Sequence, residues 1–391
     1  MDTPNTCESI TQHCMKTILD QKRVSTRLDS DMTRNKTERK KVNWFHVSEL
    51  KLYVTVCYAA RTSDSGSGMA DLLAKVFCDK SLCPLFIYEL QMQQKILPKI
   101  EFLLDSQIGP EYYYHSGNFR ILFLKDLLKQ GYQVKSFKKG LNLTDCTEAI
   151  KLMAKLHAAS VALHEQDPEL VKSCRSDKFL TQPLCKNRLQ IFQYALMIAS
   201  DVMEQIYPVI AAKIESVLNN LHNIDQIIEL FSYEPEEFCV LNNGDFSTSN
   251  LLFPDNSSLP LLLQHYQMAT YSSPAIDLHH FLNTSPETAV IHDHDEELLQ
   301  QYLETLTDTM KALNCTTTPP TMKQLKAAMR KRKLYAVLVG ITFRLSRMTD
   351  IAKQNAETIA HSDNPYAKLA KKMCLAMFHR GYFEQVTVMI I

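Results

Sequence analysis

The stretch that most constrains this chain is CVLNNGDFSTSNLLFPDNSSLPLLLQHYQMATYSSPAIDL, Cys239–Leu278. It reads as strand, tight loop, short strand, hairpin turn, strand and a Pro-marked entry into helix. Asp245 and Asn250 lie at the spacing of a phosphotransferase catalytic loop, where the Asp orients an attacking hydroxyl and the Asn holds magnesium. Alone this spacing is a weak signal. It gains weight from Gly244, from the apolar strand Leu251–Phe253 and from the turn Pro254–Ser258 leading into Leu259–Tyr266. That next strand should end in a second metal-binding Asp. It reads Leu263-Gln264-His265-Tyr266-Gln267 instead.

A chain of 391 residues, 45% hydrophobic, can bury a large core split over two lobes. Formal net charge is zero, so nothing global points to nucleic acid. Nine glycines are few for this length and argue against a strand-and-turn fold. Eleven cysteines without CxxC pairing read as reduced thiols in a cytoplasmic protein, each acting mainly as a small apolar side chain. No apolar run follows Met1, so no signal peptide is expected. The apolar stretch Tyr335–Phe343 falls well short of the roughly 20 residues a membrane helix needs.

Residues 1–40 form a polar, partly basic extension, best read as a solvated face. Val47–Ala60 alternates and is rich in β-branched and aromatic residues, hence strand. Arg61–Gly68 reads as a loop and Met69–Pro98 as helix. Glu101–Leu124 reads as short strands with turns at Gly109-Pro110 and Ser116–Asn118. Helical periodicity marks Thr147–His164, Lys213–Phe231, Asp295–Leu313, Met322–Met348 and Ala367–Arg380. His279, His280, His292, Asp293, His294 and Asp295 could hold a transition metal by composition, but the polar loop around His292 and His294 fixes no geometry.

The pattern resembles the ecdysteroid kinase-like family of insects, relatives of choline kinases and aminoglycoside phosphotransferases. The matching residues are Asn243-Gly244-Asp245, Asn250, Leu252-Phe253, Gln264–Gln267 and Ser273-Pro274-Ala275-Ile276-Asp277-Leu278. Leu85–Glu89 with Ile96-Leu97-Pro98, Leu122–Leu127, and Met153–Ser160 around His157 also match. The resemblance implies a two-lobed, protein-kinase-like α+β fold. Its small sheet-plus-helix N-lobe would span 41–127 and its mainly helical C-lobe 128–391. It also implies that Asp277 braces the catalytic loop. His157 could serve as a catalytic base, but it reads better as a hydrogen-bonded core histidine beneath that loop.

The family's functional positions divide here. Asp245, the base position, and Asn250, a magnesium ligand, are kept. Thr55, in Leu52-Tyr53-Val54-Thr55, stands at the ATP-lysine position, which leaves Glu89 without a partner. Lys51, on the same strand face, lies about 13 Å from Thr55 and cannot replace it. His265 stands at the metal-binding Asp position. ATP and magnesium would be the cofactors of an active member. The resemblance with these changes implies a catalytically impaired kinase-like protein, a pseudokinase acting by ligand or partner binding. The alternative is an ATP-dependent kinase acting on a hydroxyl of a small apolar molecule such as an ecdysteroid. The protein is expected to be a monomer, without nucleic acid or membrane insertion.

Overall fold

The computed structural model describes residues 24–25, 38–42, 47–60, 67–77, 83–117, 120–174, 183–256, 258–345 and 365–384. The expected α+β class holds. One antiparallel sheet runs in the order β1 (Val24–Ser25), β3 (Val47–Ala60), β4 (Ser67–Phe77), β6 (Ile121–Lys125), β5 (Tyr112–Ser116), and β2 (Glu38–Val42) also pairs with β3. Ser67–Phe77 was expected as loop and helix. Its Met-Ala-Asp-Leu-Leu-Ala run favours helix locally, but the segment pairs with β3 and β6 and buries Leu72, Leu73, Ala74 and Phe77. Tertiary pairing overrides a weak helical propensity here.

Helix α1 (Cys83–Gln91) follows, joined through a π-helical turn at Met92–Ile96 to α2 (Leu97–Leu104). Residues Glu101–Leu104, expected in strand, thus belong to helix, and Asp105 ends it in the left-handed conformation at φ 45°. Beyond the short strand β7 (Tyr132–Gln133), α3 (Leu143–Gln166) is the long buried helix expected around His157; Asn142 caps it by accepting from the Asp145 N–H. Three helices, α4 (Pro168–Lys172), α5 (Pro183–Glu204) and α6 (Pro208–Asn220), precede α7 (Asp225–Leu230). The apolar stripe expected as one helix over 213–231 is therefore two, parted at Leu221–Ile224.

The central stretch folds as β8 (Val240–Asn242), a 3-10 turn at Thr248–Asn250, β9 (Leu251–Pro254), β10 (Leu262–Leu263) and β11 (Thr270–Ser272). The β9–β10 hairpin forms as expected. Strand β11 closes back on β8 with Tyr271 opposite Leu241. Helix α8 (Ala275–Thr284) is buried along its whole length; α9 (Thr288–Asp293), α10 (Asp295–Ala312), α11 (Met322–Lys331) and α12 (Lys333–Val339) follow, and α11 and α12 pack against it. The run expected as one helix over 322–348 breaks at Arg332 and becomes π-helical at Gly340–Leu345; α13 (Pro365–His379) completes the described residues. One apolar core joins α1, α5, α6, α12 and α13, while a second joins α2, α3, β8 to β10, α8 and α10.

His279 ties α8 to α11, its Nε2–H donating to the Met329 carbonyl at 2.8 Å. Burial, partly offset by that bond, lowers its pKa to about 4. Between the unfolded value near 6.5 and that folded value, only the unfolded chain takes up the proton, so stability falls as pH drops. The loss should reach about 3 kcal/mol at pH 4. Urea unfolding of the natural protein and of His279→Gln from pH 7 to pH 4 should show a shallower slope in the variant.

Candidate functional site

Four polar side chains, none touching solvent appreciably, meet where β4, α1 and the segment after β10 converge. The Lys75 ammonium donates to Glu89 Oε2 at 2.8 Å and to Gln267 Oε1 at 2.6 Å, and lies 2.8 Å from His265 Nδ1. Lys75 and Glu89 are both 0% exposed. An ammonium has only protons to offer, so Nδ1 is the acceptor and the neutral His265 ring carries its proton on Nε2. His265 itself has φ 67°, a left-handed conformation uncommon outside glycine. That backbone turn accompanies the approach of its ring to Lys75.

This corrects the sequence reading of the lysine. Glu89 has a partner, and it comes from β4, not β3. In the antiparallel register Thr55 lies opposite Asp71, while Lys51 lies opposite Lys75. The sequence pattern assigns the lysine strand to Val47–Ala60, one strand early, because Ser67–Phe77 carries a local helical pattern yet pairs as a strand. The signal for Lys75 was a lone lysine in an otherwise apolar run, Leu-Leu-Ala-Lys-Val-Phe, just before the helix carrying Glu89.

The catalytic-loop residues are gathered as their spacing implies. Asn250 Nδ2 donates to the Asp245 carbonyl at 2.7 Å, and the Gln264 N–H donates to the Asn250 carbonyl at 2.9 Å. Asn243 links both halves: its Oδ1 accepts from the Asp245 N–H at 3.1 Å, and its Nδ2 donates to the His265 carbonyl at 3.0 Å. Below the loop the Asp277 carboxylate accepts from the N–H groups of Asn243 (2.7 Å) and Gly244 (2.8 Å). His157 lies between Asp277, at 3.3 Å, and the Tyr302 hydroxyl, at 2.8 Å, a buried brace as expected. Gly244 has φ 78°, and a Cβ there would stand 2.1 Å from the Met268 carbonyl oxygen, so only glycine fits.

The histidines and acids weighed as a metal cluster are dispersed. His279 and His280 lie inside α8, His294 pairs with Glu297 at 2.7 Å, and Asp295 with Arg380 at 3.2 Å. The His292 side chain falls outside the described residues. Among those described, no group of three His, Cys, Asp or Glu could hold a metal ion. Cys146, Cys174, Cys239 and Cys374 are buried free thiols, each pushed up to about 12 chiefly by burial. No helix among the described residues is long and apolar enough to cross a membrane.

The family model described as "Ecdysteroid kinase-like family" matches residues 54–315, more than half of the chain. The chain belongs to the ecdysteroid kinase-like family. Its protein-kinase-like fold follows, with the sheet and α1–α2 on one side of the Lys75 cluster and the catalytic loop with the helical part on the other. No curated protein matches it in sequence. Among solved structures, choline kinase LicA from Streptococcus pneumoniae is 12% identical with a TM-score of 0.41, covering 94% of this chain and 99% of that one. Plasmodium vivax ethanolamine kinase is 11% identical with a TM-score of 0.43, covering 98% and 91%. Spectinomycin phosphotransferase in complex with ADP and spectinomycin is 11% identical with a TM-score of 0.44, covering 94% and 98%.

Kinase-like chemistry implies magnesium, and the residues around His265 do not fit it. Magnesium prefers hard oxygen donors, carboxylates above all. The segment 264–267 offers two amides and an imidazole, and both His265 Nδ1 and Gln267 Oε1 are engaged by Lys75. The Glu89 carboxylate is the counter-charge of that lysine. Removing the lysine should strand it: Lys75→Met is expected to cost about 3–5 kcal/mol in denaturant unfolding, and the double change with Glu89→Leu should recover most of that loss.

Proposed function

We propose that this protein is a catalytically impaired member of its family, a pseudokinase that binds a small apolar hydroxylated molecule, such as an ecdysteroid, without ordinary magnesium-dependent phosphoryl transfer. The observation that carries this reading is His265 beside Lys75. In phosphoryl transfer, catalysis rests on positioning and on neutralising charge. A working site would present an anionic oxygen there to a cation. This chain presents a neutral imidazole already accepting from the lysine.

What remains can still recognise ligand. The Asp245 backbone is held at the loop by Asn243, and in this reading its carboxylate would accept from a ligand hydroxyl. In this reading Lys75 would be the residue to meet a nucleotide phosphate, although it is already engaged by Glu89, His265 and Gln267. An incoming phosphate would have to displace His265 or Gln267.

The second reading, an active ATP-dependent kinase, is favoured by one observation: the Lys75–Glu89 pair is intact. With the lysine in place a single preorganised charge contact is missing. Such a loss typically costs about 3–4 kcal/mol, two to three decades in rate.

Calorimetric titration of ATP, with magnesium and then with chelator, should give affinities within about twofold of each other, and labelled ATP should transfer no phosphate to an added ecdysteroid. Binding that requires magnesium, with phosphate appearing on the alcohol, would establish the active reading. Manganese is the control, since imidazole is an acceptable ligand for that ion.

A further inference from the structure

A cavity of about 630 Å³ opens where the chain enters β8, whereas the catalytic loop follows the other end of that strand. Its walls are the segment Glu234–Phe238 leading into β8, Pro274 at the start of α8, residues 317–320 and α11. None of the residues that hold the catalytic loop or surround Lys75 lines it. Phe238, Pro274, Pro319, Pro320, Leu325 and Ala328 give it a mainly apolar wall, and its size is that of a small-molecule pocket. The charged part of the wall is acidic. Glu237 is committed to Arg332, whose Nη1 and Nη2 donate to its two carboxylate oxygens at 2.7 Å each. Glu234 pairs with Lys331, and both side chains keep contact with solvent. Glu236 is exposed at the rim, and among the described residues no hydrogen bond or ion pair engages it.

We propose that this cavity is a second binding site, for a small molecule with an apolar body and one positive charge, such as an alkylammonium group. The charges decide the class of ligand. Of the three glutamates, Glu237 is matched by Arg332 and Glu234 by Lys331, which leaves the Glu236 carboxylate unmatched at the mouth. An ammonium bound there gains a charge-assisted contact that a neutral ligand of the same shape lacks, while an anion meets carboxylates. The N-terminus of α11 also faces the cavity, but a capping box engages it. The Gln324 N–H donates to Thr321 Oγ1 at 3.3 Å, and Gln324 Oε1 accepts from the Thr321 N–H at 2.8 Å. Those donors are spent on the helix itself, so the carboxylates set the sign of the site. The apolar walls supply most of the buried contact, and Glu236 supplies the discrimination. Neither Asp245 nor Lys75 takes part, so the site is independent of the proposed function.

Three probes that share one apolar body test this: phenylbutylamine, phenylbutanol and phenylbutanoate. Each is titrated into the full chain labelled at alanine and threonine methyl groups and followed by NMR, with Ala328→Gly and Thr318→Ser identifying the cavity signals. The amine should shift the Ala328 and Thr318 methyls and bind at least about threefold more tightly than the alcohol, and the carboxylate probe should bind more weakly than either. Glu236→Gln should bring the amine to the affinity of the alcohol and leave the alcohol unchanged. Ala327 is an exposed position on the cavity wall, and Ala327→Trp should weaken amine and alcohol alike. Amine shifts that miss these methyls, an alcohol or carboxylate probe that binds as tightly as the amine, or a Glu236→Gln variant that keeps the preference would each overturn the assignment. Neither nucleotide, magnesium nor an ecdysteroid enters the titration, so it can fail while the proposed function stands, or hold while that function fails.

Discussion

The coordination of one buried ammonium organises the site. Among the described residues Lys75 meets acceptors on α1, at residue 265 and at residue 267. Each contact crosses an element boundary, so the ion joins the sheet, the helix packed on it and the segment after the β9–β10 hairpin. Desolvating a lysine is costly, and only a complete set of partners makes burial tolerable. The left-handed turn at His265 belongs to the same economy, since it accompanies the ring's approach to within 2.8 Å of the ion. Where the family pattern leads to a carboxylate beside the lysine and the glutamate, this chain has the His265 imidazole, with the Gln267 amide kept.

The catalytic loop depends on a second set of fixed polar groups. Asp277 holds two loop N–H groups, His157 and Tyr302 back it, and Asn243 joins the loop to the His265 carbonyl. These contacts are buried and therefore strong relative to water. They keep Asp245 and Asn250 in place whether or not phosphate is ever transferred. A loop so held, beside a lysine whose neighbour is an imidazole and not a carboxylate, is what the proposed recognition without turnover would need.

The sequence was most legible where chemistry dictates spacing. Asp245, Asn250 and the hairpin that follows could be placed because glycine, turn residues and two short apolar runs all agree. Asp277 and His157 were legible because the family pattern carries their partners. Lys75 was missed for a physical reason: Met69–Val76 is rich in Ala and Leu, and its strand state is set by pairing with β3 and β6, which no local pattern reveals. The same misreading made Thr55 look like a lost lysine and Glu89 like an orphan. His280 was weighed only as a metal ligand beside His279. Its approach to Asp245, 3.2 Å from Nε2 to Oδ1, depends on how α8 packs under the loop, and that is tertiary information. The breaks at Leu221–Ile224 and Arg332 were likewise invisible, because the apolar stripe continues across both.

The central claim is that a single replaced side chain, His265, separates this protein from magnesium-dependent nucleotide handling. The most direct measurement is ATP affinity of His265→Asp with and without magnesium, by calorimetry, beside the natural protein. Lys75 is already in place, so the carboxylate alone should suffice: magnesium should tighten ATP at least about tenfold in the variant, roughly 1.4 kcal/mol, and leave the natural protein unchanged. A variant that stays indifferent to magnesium, or a natural protein that already requires it, would contradict the account.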